Sequence, residues 1–316
     1  MSRLSQLPET LFIVNPVSGR GNTLRLWYRI REYLSDKGVQ GSEHITSFPG
    51  DATVATCKAL RNGVRRIVAV GGDGTANEVL NGYFDDEGKP RNREAEIAFV
   101  PCGSGNDFHR SLKLRSWREA LSPLVESRSE LLDVGRATVT CPDGTTCSRF
   151  FLNMANIGLG GQVAELVNRW RPNTHGLISG QFSYWFAVIL VVGRYRNVPV
   201  VVSLDERASF TVQSNIITVA NGRFTGGGMK LAPNASLCDG LLDVISTSGI
   251  GRFGILKELP RIKSGRHLGN PRIRESRARQ VSIDSSEPLA VEIDGELAGV
   301  TPVHFEVLPS AVRFVV

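Results

Sequence analysis

Three glycine-rich segments in the first 107 residues each stand between a short apolar run and a run with helical spacing. They are "NPVSGRGNT" (15–23), "GGDGTAN" (71–77) and "PCGSGND" (101–107). Strand and helix signals alternate through this third of the chain, and such alternation predicts a parallel sheet with helices on both faces. The three segments then become turns at the carboxyl ends of the strands, where sheets of this kind bind their ligands.

The pattern changes near Leu132. From there, β-branched and alternating runs separated by turn signals predict mostly antiparallel strands, interrupted by helices near 161–170, 176–193 and 251–265. We therefore expect a doubly wound α/β domain over 1–132 and a β-sandwich domain over 133–316. The extreme C-terminus is a candidate to pack back on the first domain.

Bulk properties limit the partners only loosely. The net charge of +6 suits a partner that carries phosphate or an anionic membrane surface. The longest apolar run, "YWFAVILVVG" (184–193), is far shorter than the ~20 residues that span a bilayer. The five cysteines are scattered without a Cys-x-x-Cys pair, so neither structural zinc nor a disulfide framework is expected, and a reducing cytoplasm is the simplest setting.

The glycine segments predict an anion site. Glycines bring backbone N–H groups close to a ligand, and each helix start adds the positive end of its dipole. None of the segments is a Walker A loop, because no Gly-Lys-Ser/Thr follows. Tight strand-to-helix turns would explain any one of them, but three in succession favour phosphate binding. Asp107 would either cap a helix or orient Mg²⁺ over the phosphates, and Arg20 would neutralise phosphate charge.

An ordered set of motifs carries a family resemblance. "IVNPVSGRG", "VAVGGDGTANEVLNG", "FVPCGSGNDFHRSL", "TGGGMKLAPNASLCDGLLDV" and "VEIDGE" occur in that order over nearly the whole chain. The chain thereby resembles the bacterial diacylglycerol-kinase-like lipid kinases, whose catalytic domain is shared with sphingosine and ceramide kinases. The resemblance implies an N-terminal domain like the nucleotide half of phosphofructokinases and a C-terminal β-sandwich that supplies the acceptor side.

The resemblance also implies site residues. Its nucleotide contacts fall on Thr46, Gly71, Gly72, Asp73, Gly74, Thr75, Ala76, Asn77 and Ser104, with Asn15, Arg20 and Asp107 as supporting candidates. Its second metal site, distinct from Mg²⁺ over the phosphates, falls on the Asp239 carboxylate and on the backbone carbonyls of Ser236 and Leu241, although an ordinary Asp-Gly turn would also explain residues 239–240.

The general base implied by the resemblance is Asp294. From the residues alone, Asp-Gly between two alternating strands is first of all a hairpin signal. At the family's position, a carboxylate would accept the proton of the acceptor hydroxyl as that hydroxyl attacks the γ-phosphorus.

The expected function is an ATP- and Mg²⁺-dependent lipid kinase acting on diacylglycerol, phosphatidylglycerol or a sphingoid base. One alternative is a NAD kinase, which shares "GGDGT" but not the later "CDGLLDV" and "EIDGE". The other is a non-catalytic nucleotide- or lipid-binding regulator, which would bind without phosphate transfer.

A lipid acceptor implies a cytoplasmic enzyme that is peripheral at the inner membrane face. The run 184–193 and the basic run 261–279 are candidates to touch membrane, against the plainer alternatives of a core helix and a solvated surface. A second copy of the chain is a further candidate partner. No nucleic acid is expected, because no aromatic-rich binding motif accompanies the basic run.

Overall fold

A computed structural model describes the backbone of most of the chain, and the side chains of residues 168 and 180–185 lie outside the description. The described residues are 9–103, 105–114, 116–141, 143–170, 180–193, 196–205, 208–214 and 216–316. The chain divides into two compact units, one formed by Met1–Leu132 with Ala311–Val316 and the other by Asp133–Ser310.

The first unit is built on a parallel sheet. Its strands are β1 (Thr10–Val14), β2 (Ser42–Ile45), β3 (Arg66–Gly71) and β4 (Glu96–Pro101), in the spatial order β2-β1-β3-β4. The C-terminal residues Arg313 and Phe314 add a further parallel pairing beside β4. The helices that alternate with these strands are α1 (Thr23–Asp36), α2 (Asp51–Arg61), α3 (Asp73–Tyr83), α4 (Asp107–Ser111) and α5 (Trp117–Glu126).

Both faces of this sheet are covered at β1, β3 and β4, in which every residue is buried, whereas the edge strand β2 is mostly exposed. Even-numbered side chains of β1, β3 and β4 share one core cluster with α1 and α5, which includes Trp27, Ile30 and Leu124. On the helix side formed by α2 and α3, Gly82 permits a close crossing, because a Cβ there would lie 2.5 Å from the Thr53 carbonyl oxygen. The predicted doubly wound α/β architecture is confirmed.

The amino ends of β3 and β4 are joined by a buried ion pair. The Arg66 Nε lies 2.5 Å from the Glu96 Oε1, and the guanidinium also donates to the Ser127 hydroxyl at 3.1 Å. Arg66 is only 1% exposed, so its charge depends on this carboxylate for compensation. The pair lies at the strand ends opposite to the glycine segments, and its contribution is structural.

The second unit consists mainly of antiparallel strands. They are β5 (Ser129–Thr140), β6 (Thr146–Phe151), β7 (Met154–Gly158), β8 (Val198–Leu204), β9 (Ala208–Ser214), β10 (Ile216–Ala220), β11 (Leu242–Thr247), β12 (Ile273–Ala278), β13 (Gln280–Ser285), β14 (Ala290–Ile293) and β15 (Glu296–Val315). The helices are α6 (Leu159–Trp170), α7 (Gly180–Gly193) and α8 (Arg252–Lys263).

These strands enclose one core. The order β12-β11-β10-β7-β14-β15 forms one layer, and β9-β8-β13 joins it through β15. Side chains from both sets, such as Ile157, Val219, Val202 and Ile283, pack into a single buried cluster. The expected β-sandwich is thus confirmed.

One feature departs from expectation. Cys141 and Cys147 form a disulfide across the turn between β5 and β6, although no disulfide framework was expected. Within the described residues, no helix combines the length and the apolar character needed to cross a bilayer.

Removing the Glu96 carboxylate tests the buried ion pair. Glu96→Ala leaves the buried Arg66 guanidinium without its counter-charge, and we expect the free energy of unfolding to fall by about 3–5 kcal/mol. Chemical denaturation followed by fluorescence measures the loss. Glu94→Ala is the matched control, because Glu94 pairs with Arg65 at 3.4 Å on the exposed surface and such pairs contribute roughly 0–1 kcal/mol. Equal losses in the two variants would contradict the assignment.

Candidate functional site

The glycine segments lie side by side at one edge of the first unit's sheet. β2, β1, β3 and β4 are parallel neighbours, so the turns that follow them meet at their carboxyl ends. Thr46 follows β2, residues 15–23 follow β1, residues 71–77 follow β3, and residues 101–107 follow β4. The predicted nucleotide residues that the structure describes are therefore brought to a single edge.

Direct hydrogen bonds tie the first two of these segments together. The Asn15 backbone N–H donates to the Val70 carbonyl at 3.0 Å, and its side-chain amide donates to the Thr75 hydroxyl at 3.0 Å. The Thr75 side chain is thus engaged within the protein and is buried. Asn15 holds the turn after β1 against the turn after β3.

The second and third segments approach each other through glycines. A Cβ added at Gly103 would lie 2.6 Å from the Cα of Gly72, closer than real Cβ atoms come to other atoms. The Cys102 N–H donates to the Gly71 carbonyl at 2.6 Å in the same region. The absence of a side chain at Gly103 is therefore required by packing between the two turns, in addition to any role at a ligand. Gly72 is less crowded, because a Cβ there would lie 3.3 Å from the Ser18 hydroxyl and 3.5 Å from the Cα of Gly103.

Asp73 fixes the start of α4. Its carboxylate accepts the backbone N–H groups of Asp107 at 3.0 Å and of Phe108 at 3.1 Å. Desolvation raises the pKa of the Asp73 carboxyl above its usual range, and these two donors act against that rise. The capping role considered for Asp107 thus belongs to Asp73, and the Asp107 carboxylate instead contacts the Arg110 guanidinium at 3.1 Å.

The remaining nucleotide candidates differ in how exposed they are. The Thr46 N–H donates to the Val14 carbonyl at 2.9 Å, which fixes its backbone beside β1. Arg20 is exposed with a φ of 60°, and a Cβ added at Gly74 would meet nothing within 4 Å. These two positions leave room and positive charge for an anionic ligand. Ala76 is buried and Asn77 half-buried in the first turns of α3, and Ser104 lies outside the described residues.

In the second unit, Asp294 occupies the turn of the hairpin between β14 and β15. Its φ of 47° and the φ of 96° at Gly295 fit the predicted Asp-Gly turn. The Asp294 carboxylate accepts three backbone N–H groups in succession, from Leu152 at 2.8 Å and from Asn153 and Met154 at 3.0 Å. These donors hold the half-buried carboxylate in one orientation.

A buried polar chain crosses the strands next to this hairpin, and sequence reasoning did not find it. The Asn156 amide donates to Glu292 at 2.6 Å, and the Thr218 hydroxyl donates to the Asn156 side-chain oxygen at 2.8 Å. The three residues face one another across β14, β7 and β10. Glu292 lies within β14, two residues before the Asp294 turn, and no motif of the sequence singles it out.

The predicted metal loop is held in place by Asp133, a second residue that sequence reasoning missed. Its buried carboxylate accepts the Gly240 N–H at 2.6 Å and the Ser310 N–H at 2.7 Å. Asp239 keeps a partly exposed carboxylate, with the Arg277 guanidinium 3.7 Å away.

The donor types of this loop fit Mg²⁺. One carboxylate, from Asp239, and two carbonyls, from Ser236 and Leu241, are the oxygen ligands that this ion prefers. Among the described residues, no three His, Cys, Asp or Glu side chains are grouped to hold a metal, so any site here depends on the backbone oxygens.

Comparison with known proteins identifies the family. A model of the diacylglycerol kinase catalytic domain matches residues 9–137, and a model of the YegS C-terminal NAD kinase beta sandwich-like domain matches residues 153–316. The chain belongs to the diacylglycerol kinase family. It is accordingly a phosphotransferase of the lipid kinase class.

Curated relatives cover almost the whole chain. The diacylglycerol kinases of Staphylococcus carnosus and Bacillus subtilis are each 27% identical to it over 296 residues, which is 93% of this chain and 90% and 91% of the relatives. A solved structure of a Bacillus anthracis protein assigned as a diacylglycerol kinase has a TM-score of 0.78 at 26% identity, over 98% of each chain.

An NAD kinase shares the fold more distantly. The ATP complex of the Archaeoglobus fulgidus enzyme has a TM-score of 0.52 at 14% identity and covers 97% of this chain and 93% of its own. That level of identity supports a common fold and nothing finer.

A methyl group at Gly103 tests the packing between the two turns. In Gly103→Ala the added Cβ meets the backbone of Gly72, so we expect the free energy of unfolding to fall by about 1–3 kcal/mol, the usual cost of overpacking. Gly74→Ala is the control, because its Cβ points into open space and alanine favours the helix. Thermal denaturation of both variants measures the difference, and equal midpoints would contradict the proposed contact.

Proposed function

We propose that this chain transfers the γ-phosphate of ATP to a hydroxyl of a lipid of the diacylglycerol type, with Mg²⁺. The observation that carries the proposal is the convergence of three glycine turns at the carboxyl edge of a parallel sheet, within a chain of the diacylglycerol kinase family. Backbone N–H groups and the N-terminus of α3 together suit the phosphates of a nucleotide.

The nucleotide residues divide into two roles. Asn15, Asp73 and Thr75 hold the turns together through the hydrogen bonds described above. Thr46, Arg20 and the backbone from Gly72 to Asn77 then contact the nucleotide. The positioning set fixes the geometry before the ligand arrives, so little conformational entropy is lost on binding.

Mg²⁺ would be held by Asp239 with the carbonyl oxygens of Ser236 and Leu241. A separate Mg²⁺ ion that enters with the nucleotide would supply positive charge that offsets the negative charge of the phosphates. Asp133 contributes by fixing the backbone of this loop through Gly240. In the first unit, Asp107 is the candidate to orient the nucleotide's Mg²⁺ ion, although the Arg110 guanidinium already contacts its carboxylate.

Asp294 is the proposed general base. Its three N–H donors keep the carboxylate oriented at the hairpin turn, and a base must be fixed in position to accept a proton efficiently. A neighbouring carboxylate in the same turn, Glu296, is exposed and lies 3.6 Å from Arg149. Glu296 offers the natural comparison, because it carries the same charge without the N–H cradle.

The two rivals explain less. NAD phosphorylation has only a distant fold likeness in its favour, and a non-catalytic regulator would have no need of a carboxylate oriented as Asp294 is. Both remain outcomes of the first experiment.

Phosphate transfer from γ-labelled ATP tests the function. The acceptors are diacylglycerol, phosphatidylglycerol, ceramide and sphingosine dispersed in detergent, with NAD in a separate reaction, each with Mg²⁺ or with chelator. We expect label in one lipid, with diacylglycerol the first candidate, and no transfer with chelator. Label in NAD alone would replace the proposal, and ATP binding without any transfer would favour the regulator.

Substitution of the two hairpin carboxylates tests the base. Asp294→Asn should lower turnover by ~10²–10⁴, the usual share of a general base, while ATP affinity stays within about twofold, because the nucleotide residues are untouched. Glu296→Gln should stay near wild type. Circular dichroism checks that Asp294→Asn remains folded, since asparagine also tolerates the positive φ. The opposite order of effects would move the base to Glu296.

A further inference from the structure

The two helices α7 and α8 of the second unit expose apolar side chains in regular stripes. On α7, Phe186, Ile189 and Leu190 are exposed at positions i, i+3 and i+4, with Phe186 at 56% and Ile189 at 53%. On α8, Phe253 is 89% exposed and Leu256 follows it one turn later. Each set of spacings lies on one face of a helix, so the exposed groups form stripes.

The opposite side of each helix packs against other apolar side chains of the second unit. Val188 and Val192 of α7 share a buried cluster with Ile255 of α8 and Val163 of α6. The helices are therefore anchored to the second unit by one face. An amphipathic surface helix normally turns charged or polar groups to water on its other face, but the described outer face of α7 carries only Phe186, Ile189, Leu190 and Gly193.

Exposed apolar side chains that form a continuous patch indicate a surface that binds a partner or a membrane. The length of α7, 14 residues, excludes a span, which needs ~20. A helix of this length can instead lie in the interface of a bilayer with one apolar face inserted.

The positive charge of the segment that contains α8 favours an anionic partner. Residues 252–279 contain nine Lys or Arg against two Glu, whereas the rest of the chain contains 28 Lys or Arg against 29 Asp or Glu. The entire net positive charge of the protein thus comes from this segment. Lys257 and Lys263 are exposed on α8 itself. Helical spacing places Lys257 one turn after Phe253 and Lys263 two turns after Leu256 on the same side of the helix.

We propose that the exposed stripes of α7 and α8, with the cations of α8, dock this chain on an anionic bilayer surface. Apolar side chains would enter the boundary between headgroups and acyl chains while the lysines contact anionic headgroups. The proposal rests on the proposed lipid kinase function for its purpose, since an acceptor lipid must be reached in the membrane. A symmetric contact between two copies is disfavoured, because it would bring the α8 cations of both copies together.

Vesicle sedimentation without ATP tests the docking surface directly. Wild type should sediment with phosphatidylcholine vesicles that contain an equal amount of phosphatidylglycerol and much less with phosphatidylcholine alone. Phe186→Gln/Ile189→Gln should weaken binding by roughly tenfold or more, since these two side chains would be partly buried in the bilayer interface and the variant removes their apolar groups from it. Tyr33→Gln/Val54→Gln is the matched control, because it removes exposed apolar groups from the first unit, and it should bind like wild type.

The charge contribution is tested in the same assay. Lys257→Gln/Lys263→Gln should weaken binding by roughly tenfold at low salt and by less at high salt, because each lysine near an anionic surface contributes through a screened interaction. Lys37→Gln/Lys89→Gln changes the net charge equally at exposed sites elsewhere and should have little effect. Equal losses in both lysine variants would overturn the assignment to α8.

Other outcomes overturn the proposal outright. Unchanged sedimentation of Phe186→Gln/Ile189→Gln would exclude the α7 stripe, and a dimer in sedimentation velocity that this variant abolishes would assign the face to a second copy. Phosphate transfer to short-chain diacylglycerol in detergent separates the two proposals. The docking variants should retain that activity, and its absence in wild type would remove the kinase proposal while the vesicle result still stands.

Discussion

The contact between Gly72 and Gly103 governs the candidate nucleotide site, because it sets how closely the turns after β3 and β4 can approach. At that distance the Asp73 carboxylate can reach the N–H groups at the start of α4. The helix start is then capped from the neighbouring turn, and Asn15 links the turn after β1 to the same assembly. Hydrogen bonds therefore connect the three loops to one another, and a backbone anion site acts without reorganisation when its groups are held in place in this way.

The second unit uses the same device with different residues. Asp294 and Asp133 each direct a carboxylate at backbone N–H groups, and each thereby fixes a loop that carries proposed chemistry. A carboxylate that accepts several N–H groups has its orientation determined by the main chain, so a neighbouring side-chain substitution disturbs it little. In both units, carboxylates that accept backbone N–H groups hold the candidate site residues in position. The ligand would therefore bind to a site whose geometry is already formed.

The sequence was sufficient for the architecture, and it located the three glycine turns that the structure brings to one edge of the sheet. Alternating strand and helix signals predicted the order of α1 to α4 with their strands, and the Asp-Gly pair predicted the hairpin at Asp294. β2 and β12 were not predicted, because "SEHI" and "IRESRA" are too polar to show strand periodicity and owe their pairing to neighbouring strands. Asp133 and Glu292 were missed for a related reason: their importance depends on long-range partners, 107 residues away for Asp133 and 136 for Glu292.

The pairing of Arg313 and Phe314 with β4 has a consequence for how the protein acquires its fold. Phe314 also packs edge-on against Phe108 of α4 at 5.1 Å, so the first unit includes residues that the ribosome adds only after all of the second unit. Domains commonly fold in order as they emerge during synthesis, but here the N-terminal sheet lacks this pairing until Arg313 and Phe314 have been added. Until then, β4 would present an unpaired edge, which is a template for pairing with another chain.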